Sequence, residues 1–449
     1  MHKDRYAWPS QNVIKRHVLR SLGIYWRGLE AEVSNLPIAR YELTAPPRLP
    51  LRLLTVAVPP WLNSATIDGY VMVPVDVLPQ QISRADVNWR DVDWFLAIFL
   101  LLESCHEREF ERLHGSIHSY SFKLKGWDER AWENAWVNRI ALFLSAWASR
   151  ETRGFHSKGT HSIPVAKIEM THDVDAIRKT AVIKCKYLAF SGYNICRALA
   201  KRDFPKARLI MSRAIRFAVS KGDWIESIVQ LANLEVALDI SATFHFAVPH
   251  SSRRLVDVIF DPSYDATGKE AATLMHHLVE NHHKVGIHPT FRSWNDKNEI
   301  KNQRERLEKA LNLTVDASRQ HWLRFSWRDT WPALFESGIR LDRTLMFNDR
   351  SGFRNSCAVS WHPFNWQSGD STSLRAQPTV IMDSHLYDYQ DYDDSGRNNR
   401  IRTLLDEICL VGGEASILWH PHTLSQDYQW NKGFEVCLDY LSDRKIVGT

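Results

Sequence analysis

From about residue 166 onward the chain alternates short apolar runs with stretches whose apolar residues recur at helical spacing. The strand-like runs are IEMTHDVD at 168–175, ISATFHFAV at 240–248, KVGIHP at 284–289, WLRFSW at 322–327 and ASILWH at 415–420. Helical spacing fills the gaps up to about residue 238, then over 273–283, 298–311 and 331–337. Repeated βα alternation predicts a mainly parallel sheet, open or closed into a barrel, with helices around it. Residues 1–150 read differently. Pro46, Pro47, Pro50, Pro59 and Pro60 punctuate apolar runs such as LRLLTVAV, helical spacing covers 91–110 and 129–148, and GSIHSYSF at 115–122 alternates weakly between them. This predicts a smaller α+β domain at 1–150, to which the sequence assigns no chemistry. The polar, Gly-containing stretch closed by Pro164 predicts a linker at 151–165.

Composition adjusts this picture in a few places. At 449 residues the chain is too long for one ordinary core, so two domains are expected. A net charge of +5, from 57 Lys+Arg against 52 Asp+Glu, leaves too small an excess for a dedicated nucleic-acid binder. The amino-terminal stretch has no apolar signal core, and the longest apolar run, WFLAIFLLL at 94–102, is half the length of a membrane span. Six cysteines without a regular framework fit reduced thiols, and the reading that follows is a cytoplasmic protein. One insertion, 201–221, sets seven Lys or Arg residues among Leu209, Ile210, Met211, Ile215, Phe217 and Val219. A basic amphipathic helix of this kind lies on an anionic membrane, giving peripheral contact, or packs its apolar stripe on the barrel. The packed reading is the simpler one.

Four runs carry candidate chemistry. Along a strand, side chains alternate faces, so Thr171, Asp173 and Asp175 share one side and Met170, His172 and Val174 the other. Two carboxylates about 7 Å apart at a strand end suit a site in which one holds a cation and the other takes a proton from water. A D-x-D turn or a helix cap would read the same. In VGIHP, His288 points with Gly286 toward the face where the backbone is most open, and Pro289 ends the strand. In RQHWLRF, Arg319 and His321 share a face, and a guanidinium there can orient a carboxylate base. In SILWHPH, His420 and His422 share a face only if the strand runs through Pro421. Each alone is as readily a core histidine or a surface ion pair, and together they describe a metal-assisted hydrolase. Of the 18 tryptophans, several flank these runs, and indole faces stack on sugars, although most Trp residues are core.

At this point residues 166–449 resemble the polysaccharide deacetylases of carbohydrate esterase family four, in particular a branch whose first motif begins HDVD. THDVD resembles the first motif, which implies Asp173 as catalytic base and Asp175 as metal ligand. VGIHP resembles the second, which implies His288 as metal ligand, but the second histidine expected at 292 is Arg292. RQHWLRF stands in place of the third motif, so Arg319 matches the arginine that orients the base, and His321 is inferred to supply the missing ligand. The stretch 341–364 resembles the branch's G-F-R region, with Arg354 and Trp361 as candidate substrate contacts. ILWH resembles the closing motif, which implies His420 as general acid. The resemblance implies an incomplete (β/α) barrel of about seven strands, a divalent metal cofactor, most simply zinc, and a carbohydrate substrate: removal of acetyl groups from a polysaccharide or a lipid-linked glycan precursor. Two other readings stay open, an amidase acting on a small amide or ureide, and a catalytically idle carbohydrate-binding protein.

Overall fold

The computed structural model describes residues 8–59, 65–78, 87–153, 163–220, 222, 224–250 and 252–446. The expected linker at 151–165 lies mostly outside the described residues.

The first part of the chain folds as α1 (Gln11–Ser21), α2 (Glu30–Ser34), the antiparallel pair β1 (Leu53–Ala57) and β2 (Tyr70–Pro74), then α3 (Trp94–Leu102), α4 (Cys105–His114) and α5 (Trp136–Arg153). The apolar run at 94–102 is α3, buried at all nine positions and capped by the Asp93 carboxylate, which accepts from the amide of Leu96. The helical spacing over 91–110 is broken at Ser104, whose left-handed backbone (φ 45°) ends α3 and restarts the chain as α4. GSIHSYSF is not a strand. His118 and Ser119 are both left-handed, and the Ser119 hydroxyl donates to the carbonyl of Leu323 at 2.6 Å, so the run is a turn that props the RQHWLRF segment.

The second part supplies one curled sheet in which every pairing is parallel. Its strands are β3 (Lys167–Val174), β4 (Thr243–Phe246), β5 (Lys284–Ile287), β6 (Ala317–Ser318) and β7 (Leu341–Asp342), then, after the short antiparallel pair β8 (Phe364–Asn365) and β9 (Asp370–Ser371), β10 (Arg375–Ala376), β11 (Thr379–Met382) and β12 (Glu414–Leu418). The order β10-β7-β6-β5-β4-β3-β12-β11 gives an eight-stranded incomplete barrel: the parallel sheet is the one expected from the alternation, and the incomplete barrel the one the resemblance implies. Its edges, β10 and β11, are separated only by Gln377 and Pro378. Pro378 has no amide hydrogen to give a ladder, so one nearly continuous run pairs with β7 before it and with β12 after it. Counted as one strand, they make the sheet seven-stranded. Helices α6 (Ala181–Ala200), α7 (Phe204–Val219) and α8 (Ile225–Ala237) lie between β3 and β4, and the later connections carry α9 (Leu255–Phe260), α10 (Lys269–Glu280), α11 (Lys297–Leu311) and α12 (Thr330–Glu336). One apolar core runs from Ile14 through the barrel to Leu441.

Buried polar contacts cross between the two parts. Arg139 of α5 pairs with Glu407 at 2.8 Å, Tyr25 donates to the carbonyl of Val411, and Asn138 donates to that of Ala358. A side chain at Gly352 would run into the carbonyl of Trp132, and the residue's φ of 131° suits glycine alone.

Candidate active site

The site forms where the carboxyl ends of β3, β5, β6, β11 and β12 meet. The period of two holds in β3. Thr171, Asp173 and Asp175 point to the barrel's polar mouth, while His172 is turned the other way, held between the carbonyl of Trp419 and Glu235 at 2.8 Å each.

Asp173 is buried beside Arg319, whose Nη1 lies 3.1 Å from Oδ1. The guanidinium has no freedom left, because it also donates to Thr171, Thr379 and the carbonyl of Arg343 at 2.9–3.0 Å. Burial alone would raise the Asp173 carboxyl, but Arg319 and the imidazoles of His288 and His245 outweigh it and hold the group well below the usual carboxylate range.

Around Asp175 three imidazoles converge, each with its Nδ1 already committed. His288 Nδ1 donates to the carbonyl of Arg319 at 2.7 Å, His321 Nδ1 to Asp261 at 3.1 Å, and His420 Nδ1 to Asp383 at 2.7 Å. These acceptors fix the ring hydrogen on Nδ1 and turn each Nε2 inward, to 3.4, 3.6 and 3.5 Å from the Asp175 carboxylate. Against the penalty of burial, His288, His420 and His321 hold Asp175 ionised far down the pH scale. His420 is raised to about 10, since Asp383 and Asp175 outweigh its desolvation.

The donor atoms of Asp175, His288 and His321 all lie within 4.8 Å of one another. Asp175 Oδ1 is buried and makes no hydrogen bond, an orphan that a cation would satisfy. Two imidazoles braced from behind and one carboxylate fit a divalent metal with an open coordination position.

Arg292, at the position where a second-motif histidine is expected, is turned away and paired in bidentate fashion with Asp257. His321 stands in the cluster instead, but not on a strand. β6 ends at Ser318, and His321–Leu323 is a single 3₁₀ turn with Trp322 left-handed at φ 56°. WLRFSW is therefore loop, corrected by the strand end two residues before Gln320. The space over Gly286 is also closed rather than open, because a Cβ there would meet the ring of His245. His422 leaves the cluster. The chain turns after His420, and burial against Trp224 and the charge of His420 push His422 down to about 4.

Two candidate substrate contacts are corrected. Trp361 is 1 % exposed, packs edge-on against Trp331 and donates to Glu103, which makes it core. Arg354 is 4 % exposed and paired with Glu107, with further bonds to Ser119 and the carbonyl of Met346, so it ties the two parts of the chain together. The sequence reading missed Asp261, Asp383 and His245. Asp383 carried the same signal as Asp175, an acid closing the apolar run TVIM of β11.

No family model matches the chain, and no curated protein matches it. Solved structures similar to it include a protein described as a polysaccharide deacetylase from Mycobacterium smegmatis, 15 % identical over 64 % of this chain and 85 % of that one, with a TM-score of 0.37. A polysaccharide deacetylase from Bacillus cereus is 13 % identical over 62 % of this chain and 89 % of that one, with a TM-score of 0.29. A carbohydrate esterase family four pseudoenzyme from Bacillus anthracis is 11 % identical over 62 % of this chain and 63 % of that one, with a TM-score of 0.26.

Proposed function

We propose that the protein is a metal-dependent hydrolase that removes acetyl groups from a polysaccharide or a lipid-linked glycan precursor. The observation that carries the reading is the convergence of three Nε2 atoms on Asp175 beside a second, Arg-clamped carboxylate. The motif resemblance supports the acetyl group as target. A sugar is favoured over a small amide by an aromatic shelf next to His321. Trp322 is 41 % exposed and meets Phe260 edge-on, and Phe260 stacks on Phe291 at 4.4 Å.

A divalent cation held by Asp175, His288 and His321, zinc by the donor set, would lower the pKa of water toward about 7 and polarise the acetyl carbonyl. Asp173 takes the proton of the attacking water, and Arg319 keeps that carboxylate ionised and in one orientation. Asp261 and the carbonyl of Arg319 hold the two ligand imidazoles from behind. His420 enters protonated, braced by Asp383, and gives its proton to the departing amine.

Acetate release from N-acetylated and O-acetylated oligosaccharides tests the reading. Release is expected to stop on chelation and to return with added zinc. Ring opening of a cyclic imide without acetate release from any glycan would replace it with the amidase reading, and a stoichiometric metal with no turnover on either would leave a binding protein.

His420→Ala is expected to slow amide cleavage about a hundredfold while leaving an aryl acetate, whose leaving group needs no proton, close to wild type. Asp383→Asn removes the charge that raises His420, so the alkaline limb of the amide rate profile is expected to move to lower pH. A selective amide defect in His422→Ala alone would transfer the role to His422.

A further inference from the structure

The expectation that the basic insertion packs an apolar stripe on the barrel does not hold. Residues 181–220 form a hairpin of α6 and α7 in which the buried positions are small or sit near its root: Ser191 and Ala198 in α6, and Ala207, Ala214 and Phe217 in α7. The large apolar side chains face outward, with Phe190 64 %, Tyr193 65 %, Phe204 65 %, Ile215 59 % and Val219 75 % exposed. At 100° per residue, Ile215 and Val219 share an arc of α7 with Arg208 and Arg216, opposite the buried alanines.

Charge is as one-sided as exposure. Residues 181–220 hold nine Lys or Arg and one Asp, a net +8, whereas the whole chain carries +5 and the remainder is therefore net −3. Among the described residues the hairpin makes one ion pair, from Lys206 to the exposed Asp391. Its root is firmly seated. Tyr187 stacks on Phe217 at 3.8 Å, with Trp224 and Tyr428 beside them, and Lys179, just before α6, pairs with Asp427 at 2.7 Å.

We propose that this hairpin docks the protein on an anionic lipid bilayer. A surface that mixes large apolar side chains with unopposed cations matches an interface of acyl chain and acidic headgroup, into which such a helix sinks its apolar face while lying in the plane. A second copy of the chain is a poorer occupant, since it would bring +8 against +8. A nucleic acid would use the charges and leave the exposed aromatic and aliphatic side chains in water. No helix among the described residues is long and apolar enough to cross a membrane, which agrees with docking in the interface. The hairpin begins at Ala181, only seven residues after the end of β3 at Val174, and Lys186 of α6 donates to the carbonyl of Asp261, whose carboxylate braces His321. Docking therefore sets the mouth of the candidate site beside the bilayer. Its use on a lipid-linked glycan rests on the hydrolase reading, and the docking does not.

Vesicle co-sedimentation of the full chain, without any glycan, tests the proposal. Vesicles of phosphatidylcholine mixed with phosphatidylglycerol are expected to bind at least about tenfold more protein than phosphatidylcholine alone, since each basic residue near an acidic surface gives about a fivefold gain. Arg208→Glu with Arg216→Glu is expected to lose at least about tenfold of that binding. Ile215→Ser with Val219→Ser should weaken it as well, with circular dichroism unchanged because all four side chains are exposed. Equal binding to both vesicle types, or undiminished binding by both double variants, overturns the proposal. So does a wild-type dimer in solution that the serine variant dissolves, or binding to duplex DNA as tight as to vesicles and indifferent to the serine changes.

Discussion

Asp175→Ala is expected to reduce bound divalent metal from near one equivalent to near none. Asp175 is the group that the Nε2 atoms of His288, His321 and His420 all face, and its Oδ1 is the buried oxygen with no other partner. Without it, His288 and His321 offer two nitrogens, too few to outcompete water for zinc. The loss should exceed the ~10–100-fold in affinity that removal of an outer-shell partner costs. Metal analysis of the purified variant, with circular dichroism to check the fold, reads the result. Full retention of metal would remove the proposed site. Full retention in His321→Ala alone would leave Asp175 and His288 as ligands and reduce His321 to a bystander.

Asp173→Asn should separate binding from turnover. Asp173 is paired with Arg319 at 3.1 Å and has His245 Nδ1 at the same distance, whereas its contact with the ligand imidazole of His288 is longer, 3.9 Å to Nδ1. The variant is expected to keep its metal and to lose acetyl hydrolysis by a factor of about a hundred or more, the scale of a positioned general base. It also leaves the Arg319 guanidinium buried without a counter-charge. Breaking a buried pair costs about 3–5 kcal/mol, and the lower end applies here because asparagine keeps an acceptor and Arg319 keeps three other bonds. Thermal unfolding measures that part, and metal content with turnover measures the other. Loss of metal in step with activity would make Asp173 a ligand and exchange the roles of the two aspartates.

The parts of this site that the sequence made legible are those set by local periodicity. Alternation along β3 placed Asp173 and Asp175 together and His172 apart, and the βα rhythm predicted the parallel sheet. What was hidden is set by distance along the chain. Asp261 reaches His321 across 60 residues, and Arg354 reaches Glu107 across 247, with nothing in either segment to mark the partner. Arg354 looked like a substrate contact because a buried arginine and a ligand-binding one are spelled alike. Trp361 misled for a similar reason, since an indole near a motif is as often packing as platform. RQHWLRF gave the right residues from the wrong element. Arg319 continues the line of β6, while His321 opens a 3₁₀ turn, with Trp322 left-handed after it, that no alternation rule describes.

The contacts between Arg139 and Glu407, and between Arg354 and Glu107, bear on how this chain can be dissected or inherited. A fragment starting at Ile163 would carry every proposed catalytic side chain, yet it would take the Asn138 and Tyr25 donors from the carbonyls of Ala358 and Val411 and strand Glu407 and Arg354 without their partners. The barrel is in that sense not a portable module. Grafting it onto another protein, or shuffling it in a genome, would require the first 150 residues to travel with it or the seam to be rebuilt in apolar side chains.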